Sequence, residues 1–171
     1  MDEKIQAAIF IAVALVAFAF AYTQFAQSTT EKENTVNGIK VFARGSVKSS
    51  LAEVLSPQVI AIQVLFDNAS DNRPCKVPMQ TEAIYGLASG GKNVSLQIKV
   101  ADGNYCLKSA GANASERVEC AKPQIVIQTG ECDCMRVDTR NQTILVSGSE
   151  SWLCSSGPQV REIIAWGIKK E

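Results

Sequence analysis

The chain opens with its longest apolar run. Between Lys4 and Glu31 no residue carries a charge, and over residues 5–21 only Gln6 interrupts a series of Ala, Phe, Ile, Val and Leu. Residues 22–26 continue the run more softly through Thr23 and Gln24, and neither Pro nor Gly occurs before Gly38. A bilayer core takes ~20 predominantly apolar residues at helical rise, and lipid offers backbone groups no partner outside a helix or a closed barrel. Residues 5–26 are therefore expected to form a transmembrane helix, with 1–4 as a short cytoplasmic tail and 27–36 as a helical extension or linker. A permanent signal anchor is the preferred reading. A cleaved signal peptide comes second, on the A-x-A pattern of Ala19-Phe20-Ala21. A buried core helix comes last, because a segment without charge has no face for water.

After Gly38 the runs shorten. Residues 39–44 read as a strand closed by Gly45-Ser46, and 59–66 as a buried strand, nearly all apolar and bounded by Pro57 and Asp67-Asn68. Residues 94–100 alternate cleanly, with Val94, Leu96, Ile98 and Val100 on one face. A short apolar run follows Pro123, and 134–137 and 143–146 flank a five-residue loop as in a hairpin. Residues 81–88 are ambiguous, because Gly86 weakens a helical reading. Residues 158–170 are helical: Pro158 suits a first turn, Val160, Ile163 and Ile164 keep helical spacing, and Lys169 and Lys170 suit a C-terminus. The expected fold is mainly β: residues 37–171 form a β-sandwich-like domain closed by a C-terminal helix, with Trp152 and Trp166 in its core.

The six cysteines, Cys75, Cys106, Cys120, Cys132, Cys134 and Cys154, all follow the apolar run. An even number confined to one domain points to a disulfide framework. Cys106–Cys120 is the favoured pair, closing a Ser-, Ala- and Gly-rich loop. Cys132 and Cys134, two apart in a strand, point to one face, which favours separate partners, with Cys75 and Cys154 as candidates. The rival is a four-thiolate metal site of Cys120, Cys132, Cys134 and Cys154, whose spacing misses the usual C-x2–4-C pattern. Glu131 and Asp133 flank Cys132 and offer two carboxylates toward calcium, which needs more ligands than that. Four N-x-S/T sequons, at Asn68, Asn93, Asn113 and Asn141, are candidate glycosylation sites. Cysteines and sequons together place the bulk of the chain outside the membrane.

Composition then narrows the chemistry. The 171 residues include 17 Lys plus Arg, 17 Asp plus Glu and no His. The charge balance argues against nucleic acid as a partner. Without His, Ser-His and Cys-His nucleophiles and imidazole-bound zinc are excluded. No catalytic residue, cofactor or metal is expected, and the chain is not read as an enzyme.

Lys4-Ile5-Gln6-Ala7-Ala8, the Ala-rich helix that follows and the step Val36-Asn37-Gly38-Ile39-Lys40-Val41 resemble the N-terminal region of archaeal type IV pilins and archaellins. The resemblance covers about 40 residues and implies one N-terminal helix feeding a β-sandwich head, with self-association through that helix. The expected role is that of a single-pass, cell-membrane protein with a structural or binding function at the cell surface. The alternatives are a pilin-like filament subunit, and an anchored enzyme or electron-transfer protein with cysteine-bound metal.

Overall fold

A computed structural model describes residues 14–16, 30–66, 74–100, 106–109, 115–119 and 122–169. By its contacts the chain divides into residues 1–31 and residues 32–171. Of the expected membrane span only 14–16 are described; they are helical and exposed. The remainder of 5–26, and the pilin-like motif at 4–8, lie outside the described residues. Among the described residues no helix is long and apolar enough to cross a membrane. That finding corrects the localisation read from the sequence, and single-pass anchoring is not carried forward.

Residues 32–171 correct the fold class as well: they are mixed α/β. The described elements run β1 (Lys32–Val36), β2 (Ile39–Ala43), α1 (Val47–Val54), β3 (Val59–Phe66), α2 (Lys76–Ser89), β4 (Asn93–Val100), β5 (Cys106–Ser109), β6 (Ser115–Val118), β7 (Ile125–Thr129), β8 (Cys134–Asp138), β9 (Thr143–Gly148), α3 (Glu150–Ser155) and α4 (Gly157–Ile168). All nine strands form one sheet in the order β1-β2-β8-β9-β7-β3-β4-β5-β6. A sandwich needs two sheets. Here helices cover one face instead, because β3 runs parallel to β4 and β7, and β7 parallel to β9. Parallel neighbours need long crossovers, which helices supply; α2 is the crossover between β3 and β4.

The helices hide from a reading of periodicity for identifiable reasons. Ser46, read as the end of a strand, caps α1: its Oγ accepts from the Ser49 N–H, and Val47, Leu51 and Val54 are buried one helical turn apart. In α2, Pro78 lies in the first turn, where a missing N–H costs nothing. Gly86 is the contact point with α4: a β-carbon there would lie 2.8 Å from the Arg161 carbonyl oxygen and 3.1 Å from the Ile164 side chain. Gly167 of α4 meets Leu51 of α1 in the same way. The glycines thus let α4 settle between α1 and α2.

The first strand also differs from expectation. Residues 32–36, expected within a helical extension or linker, form β1, which pairs antiparallel with β2 through Val36↔Ile39. Asn37 and Gly38 both take positive φ (49° and 80°), as the two-residue turn of a hairpin requires.

The core lies between the helices and one sheet face. Ile60, Ile62 and Val64 of β3, Ile125 and Ile127 of β7, Ile144 and Val146 of β9, and Met135 and Val137 of β8 are all buried there against Leu51, Met79, Ala83, Leu87, Val160, Ile163 and Ile164. Trp152 packs against this core, but Trp166 does not: it is 38% exposed, with the Lys48 ammonium 6.0 Å from its ring centre.

Candidate functional site

Because the helices occupy one face of the sheet, alternate residues of every strand point to the other. Register aligns them into a row across six strands: Phe42 of β2 beside Arg136 of β8, then Leu145 of β9, Val126 of β7, Gln63 of β3 and Gln97 of β4. The row is apolar in the middle and polar at one side. Arg136 stands over Phe42, 5.6 Å from the ring centre. A groove of about 250 Å³ opens above its centre, lined by Val126, Arg136, Asp138, Asn141, Thr143 and Leu145.

The turn between β8 and β9 holds one wall of the groove. Asp138 accepts hydrogen bonds from the backbone N–H of Arg140 (3.0 Å) and Asn141 (3.3 Å), and from the Asn141 side chain (2.6 Å). Gln142 closes the turn at φ 54° and donates to the Thr139 carbonyl. Burial works to raise the Asp138 pKa. The hydrogen bonds from Asn141 and Arg140 and the charge of Arg44 outweigh it, so the carboxyl stays below its ordinary value. Arg44 continues the line of Phe42 just past β2. Its Nε and one Nη are shielded from water and have no hydrogen-bond partner among the described residues. The groove therefore sets a guanidinium, an ionised carboxylate and an amide around an aliphatic floor.

The sequence-predicted residues fall elsewhere. Cys75 is bonded to Cys154, with Cα atoms 4.7 Å apart, tying the start of α2 to α3. Cys132 is bonded to Cys134, with Cα atoms 5.3 Å apart. That corrects the expectation of separate partners. Only Cys134 belongs to a strand; Cys132 precedes β8, and the turn marked by Cys134 N–H donating to the Cys132 carbonyl breaks the alternation on which the expectation rested. Cys106 is also disulfide-bonded, and Gln63 donates to its sulfur (3.1 Å). Its expected partner, Cys120, lies outside the described residues. These pairings separate the cysteines proposed for a four-thiolate site.

Around these cysteines the acidic groups accept hydrogen bonds from the residues that begin helices. Glu150 accepts from the Cys75 N–H (2.9 Å) and lies close to both sulfurs of the Cys75–Cys154 pair. Asp133 accepts from the N–H (2.8 Å) and hydroxyl (3.0 Å) of Ser149, the cap of α3, rather than joining Glu131 around a cation. Next to Cys75, Lys76 is fully buried and donates to the Leu65 carbonyl (2.7 Å), with its ammonium 5.2 Å from the Phe66 ring centre.

Of the four sequon asparagines, Asn93 is exposed at the start of β4 and Asn141 is exposed in the turn beside the groove, while Asn68 and Asn113 lie outside the described residues. The groove was not found from the sequence. Its residues are scattered over β7, β8, β9 and one turn, and only the placement of β8 between β2 and β9 gathers them. No protein-family model matches this chain, and searches of curated proteins and of solved structures find no match either.

Proposed function

We propose that residues 32–171 form a binding domain, non-catalytic in itself, whose groove on the sheet face opposite the helices recognises a polypeptide segment carrying a carboxylate among aliphatic side chains. The observation that supports it is the lining of the groove. Val126 and Leu145 give an apolar floor, Arg136 stands at its edge over Phe42, and the Asp138 turn makes a preformed wall. The charge of Arg44 helps keep the Asp138 carboxyl in that wall ionised. A planar guanidinium matches a carboxylate with two parallel hydrogen bonds, and sites of this kind combine an apolar floor with a few fixed polar groups.

The test is an amide-resonance titration of the full chain with the peptide acetyl-Leu-Glu-Val-amide and its Gln counterpart. Shifts confined to β7, β8 and β9, larger for the Glu peptide and abolished in Arg136→Ala, support the proposal. Absence of shifts from either peptide at millimolar concentration, or equal shifts from both, would sink it.

A further inference from the structure

We infer that Cys75, Glu150 and Cys154 form a site for one zinc-type divalent cation, occupied when the disulfide between the two cysteines is reduced. Glu150 and Cys154 lie four apart on α3, where one helix face carries both, and Cys75 directly precedes α2. A Glu150 carboxylate oxygen and the two sulfurs all lie within 4.8 Å of one another. Among the described residues no other three cysteine or carboxylate groups gather in this way. Tetrahedral zinc, with Zn–S of about 2.3 Å and Zn–O of about 2.0–2.2 Å, holds its ligand atoms roughly 3.5–3.8 Å apart. Opening the S–S bond lets the sulfurs separate to that spacing beside an oxygen already within reach.

Hydrogen bonding accounts for only half of the carboxylate. Glu150 Oε1 accepts from the Cys75 N–H (2.9 Å), which fixes the group against the sulfurs. A contact of this kind orients a ligating carboxylate from outside the metal shell. Glu150 Oε2 is shielded from water and has no hydrogen-bond partner among the described residues. An anionic oxygen buried without a donor is costly, and a cation bound to it removes that cost.

The donor set selects the ion. Two thiolates favour zinc over calcium or magnesium, and in a chain without His, thiolates and carboxylates are the donors that zinc has. Three protein ligands leave a fourth position for water. Cys75 is 1% exposed and Cys154 is exposed, so water reaches the ion from the Cys154 side. Two thiolates and a carboxylate around a divalent ion carry a single net negative charge, which the positive end of α2 beside Cys75 favours. Occupancy follows redox state. A dithiol supplies two electrons and two protons and becomes a disulfide, while Cys75 and Cys154 become thiols. The ion then takes both sulfurs as thiolates, and their two protons pass to solvent.

Titration of the full chain with Co²⁺, a spectroscopic stand-in for zinc, tests this after reduction by a phosphine, chosen in place of a thiol that would compete for the metal. One equivalent is expected to give sulfur-to-cobalt charge-transfer and tetrahedral ligand-field bands, which Zn²⁺ abolishes, while the oxidised chain gives none. Cys132→Ser/Cys134→Ser should keep the bands and Cys75→Ser/Cys154→Ser should lose them. Glu150→Gln retains an acceptor for the Cys75 N–H, and is expected to weaken Zn²⁺ binding by roughly tenfold or more in competition with a chelating dye. Reduced wild type without thiolate–cobalt bands, bands unchanged in Cys75→Ser/Cys154→Ser, or an affinity indifferent to Glu150→Gln overturns the inference. With Zn²⁺ present the reduced chain should match the oxidised chain by circular dichroism, and a reduced chain that stays unfolded with Zn²⁺ overturns the inference as well.

Discussion

Gly86 of α2 lies against Arg161 of α4 so closely that a β-carbon at Gly86 would stand 2.8 Å from the Arg161 carbonyl oxygen. Main chain cannot swing aside as a flexible side chain can. Gly86→Ala gains helix propensity of about 1 kcal/mol, yet it forces apart the two helices that cover the centre of the sheet. Overpacking of this kind costs about 1–3 kcal/mol. Urea denaturation is expected to show Gly86→Ala at or below wild-type stability and Gly86→Val well below it. A clearly stabilised Gly86→Val would mean that the helices do not meet there.

The same glycine explains why α2 was hard to read. Gly86 and Pro78 are the residues that lower helix propensity, and both sit where the fold tolerates or needs them: Pro78 in the first turn, Gly86 at the helix crossing. By contrast, β3, β4 and α4 were legible because periodicity is local. The 59–66 run, the alternation at 94–100 and the spacing of Val160, Ile163 and Ile164 each follow from which side faces the core. What periodicity does not carry is strand order. A parallel neighbour such as β7 beside β3 is set by residues more than 60 positions apart, and without it a set of strands reads equally well as a sandwich. Asn37-Gly38 was the missed local signal: an Asn-Gly pair between Val36 and Ile39 marks a hairpin, and so marks β1. The groove was illegible for the same reason as strand order, since Arg136 meets Phe42 only through register.

The two described disulfides should contribute very differently to stability. Cys75–Cys154 spans a separation of 79 residues and Cys132–Cys134 a separation of 2. In the chain-entropy model the first stabilises by about 4.5 kcal/mol and the second by about 1.6 kcal/mol. Cys75→Ser/Cys154→Ser is therefore expected to lower the thermal midpoint much further than Cys132→Ser/Cys134→Ser. Calorimetry of the two double variants, each with its remaining disulfides confirmed by mass, measures the gap. Equal losses would contradict the connectivity or show that loop closure is not the dominant effect.

Asp138 gives the turn beside the groove a pH dependence of known sign. Its carboxyl is held below the ordinary value chiefly because hydrogen bonds from Asn141 and Arg140 and the charge of Arg44 overcome the effect of burial. A group whose folded pKa is depressed contributes stability above its unfolded pKa of about 3.9, and loses it as pH falls through the folded value. Asp138→Ala should cost about 1 kcal/mol at neutral pH, the net value of its partly exposed hydrogen bonds. The difference from wild type should stay constant down to the ordinary carboxylate range and narrow below it. Denaturation curves at a series of pH values test this; a difference that widens on acidification would reverse the sign and refute the assignment.

Asp133 and Ser149 should act as one unit at the start of α3. Asp133 accepts from both the N–H and the hydroxyl of Ser149, while the Ser149 oxygen accepts from the Trp152 N–H (3.4 Å). The carboxylate thus orients the residue that caps the helix, and it also sits where negative charge favours a helix N-terminus. Ser149→Ala removes the cap and is expected to cost about 1 kcal/mol. Asp133→Ala removes the acceptor from two donors and should cost at least as much. If the two side chains work through each other, the double variant costs less than the sum of the singles, since each single change already spoils the shared arrangement. Urea midpoints for the four proteins close the cycle. Additive losses would show that Asp133 stabilises the bend after β9 independently of the cap, and that the hydroxyl contact does not contribute to holding α3 in place.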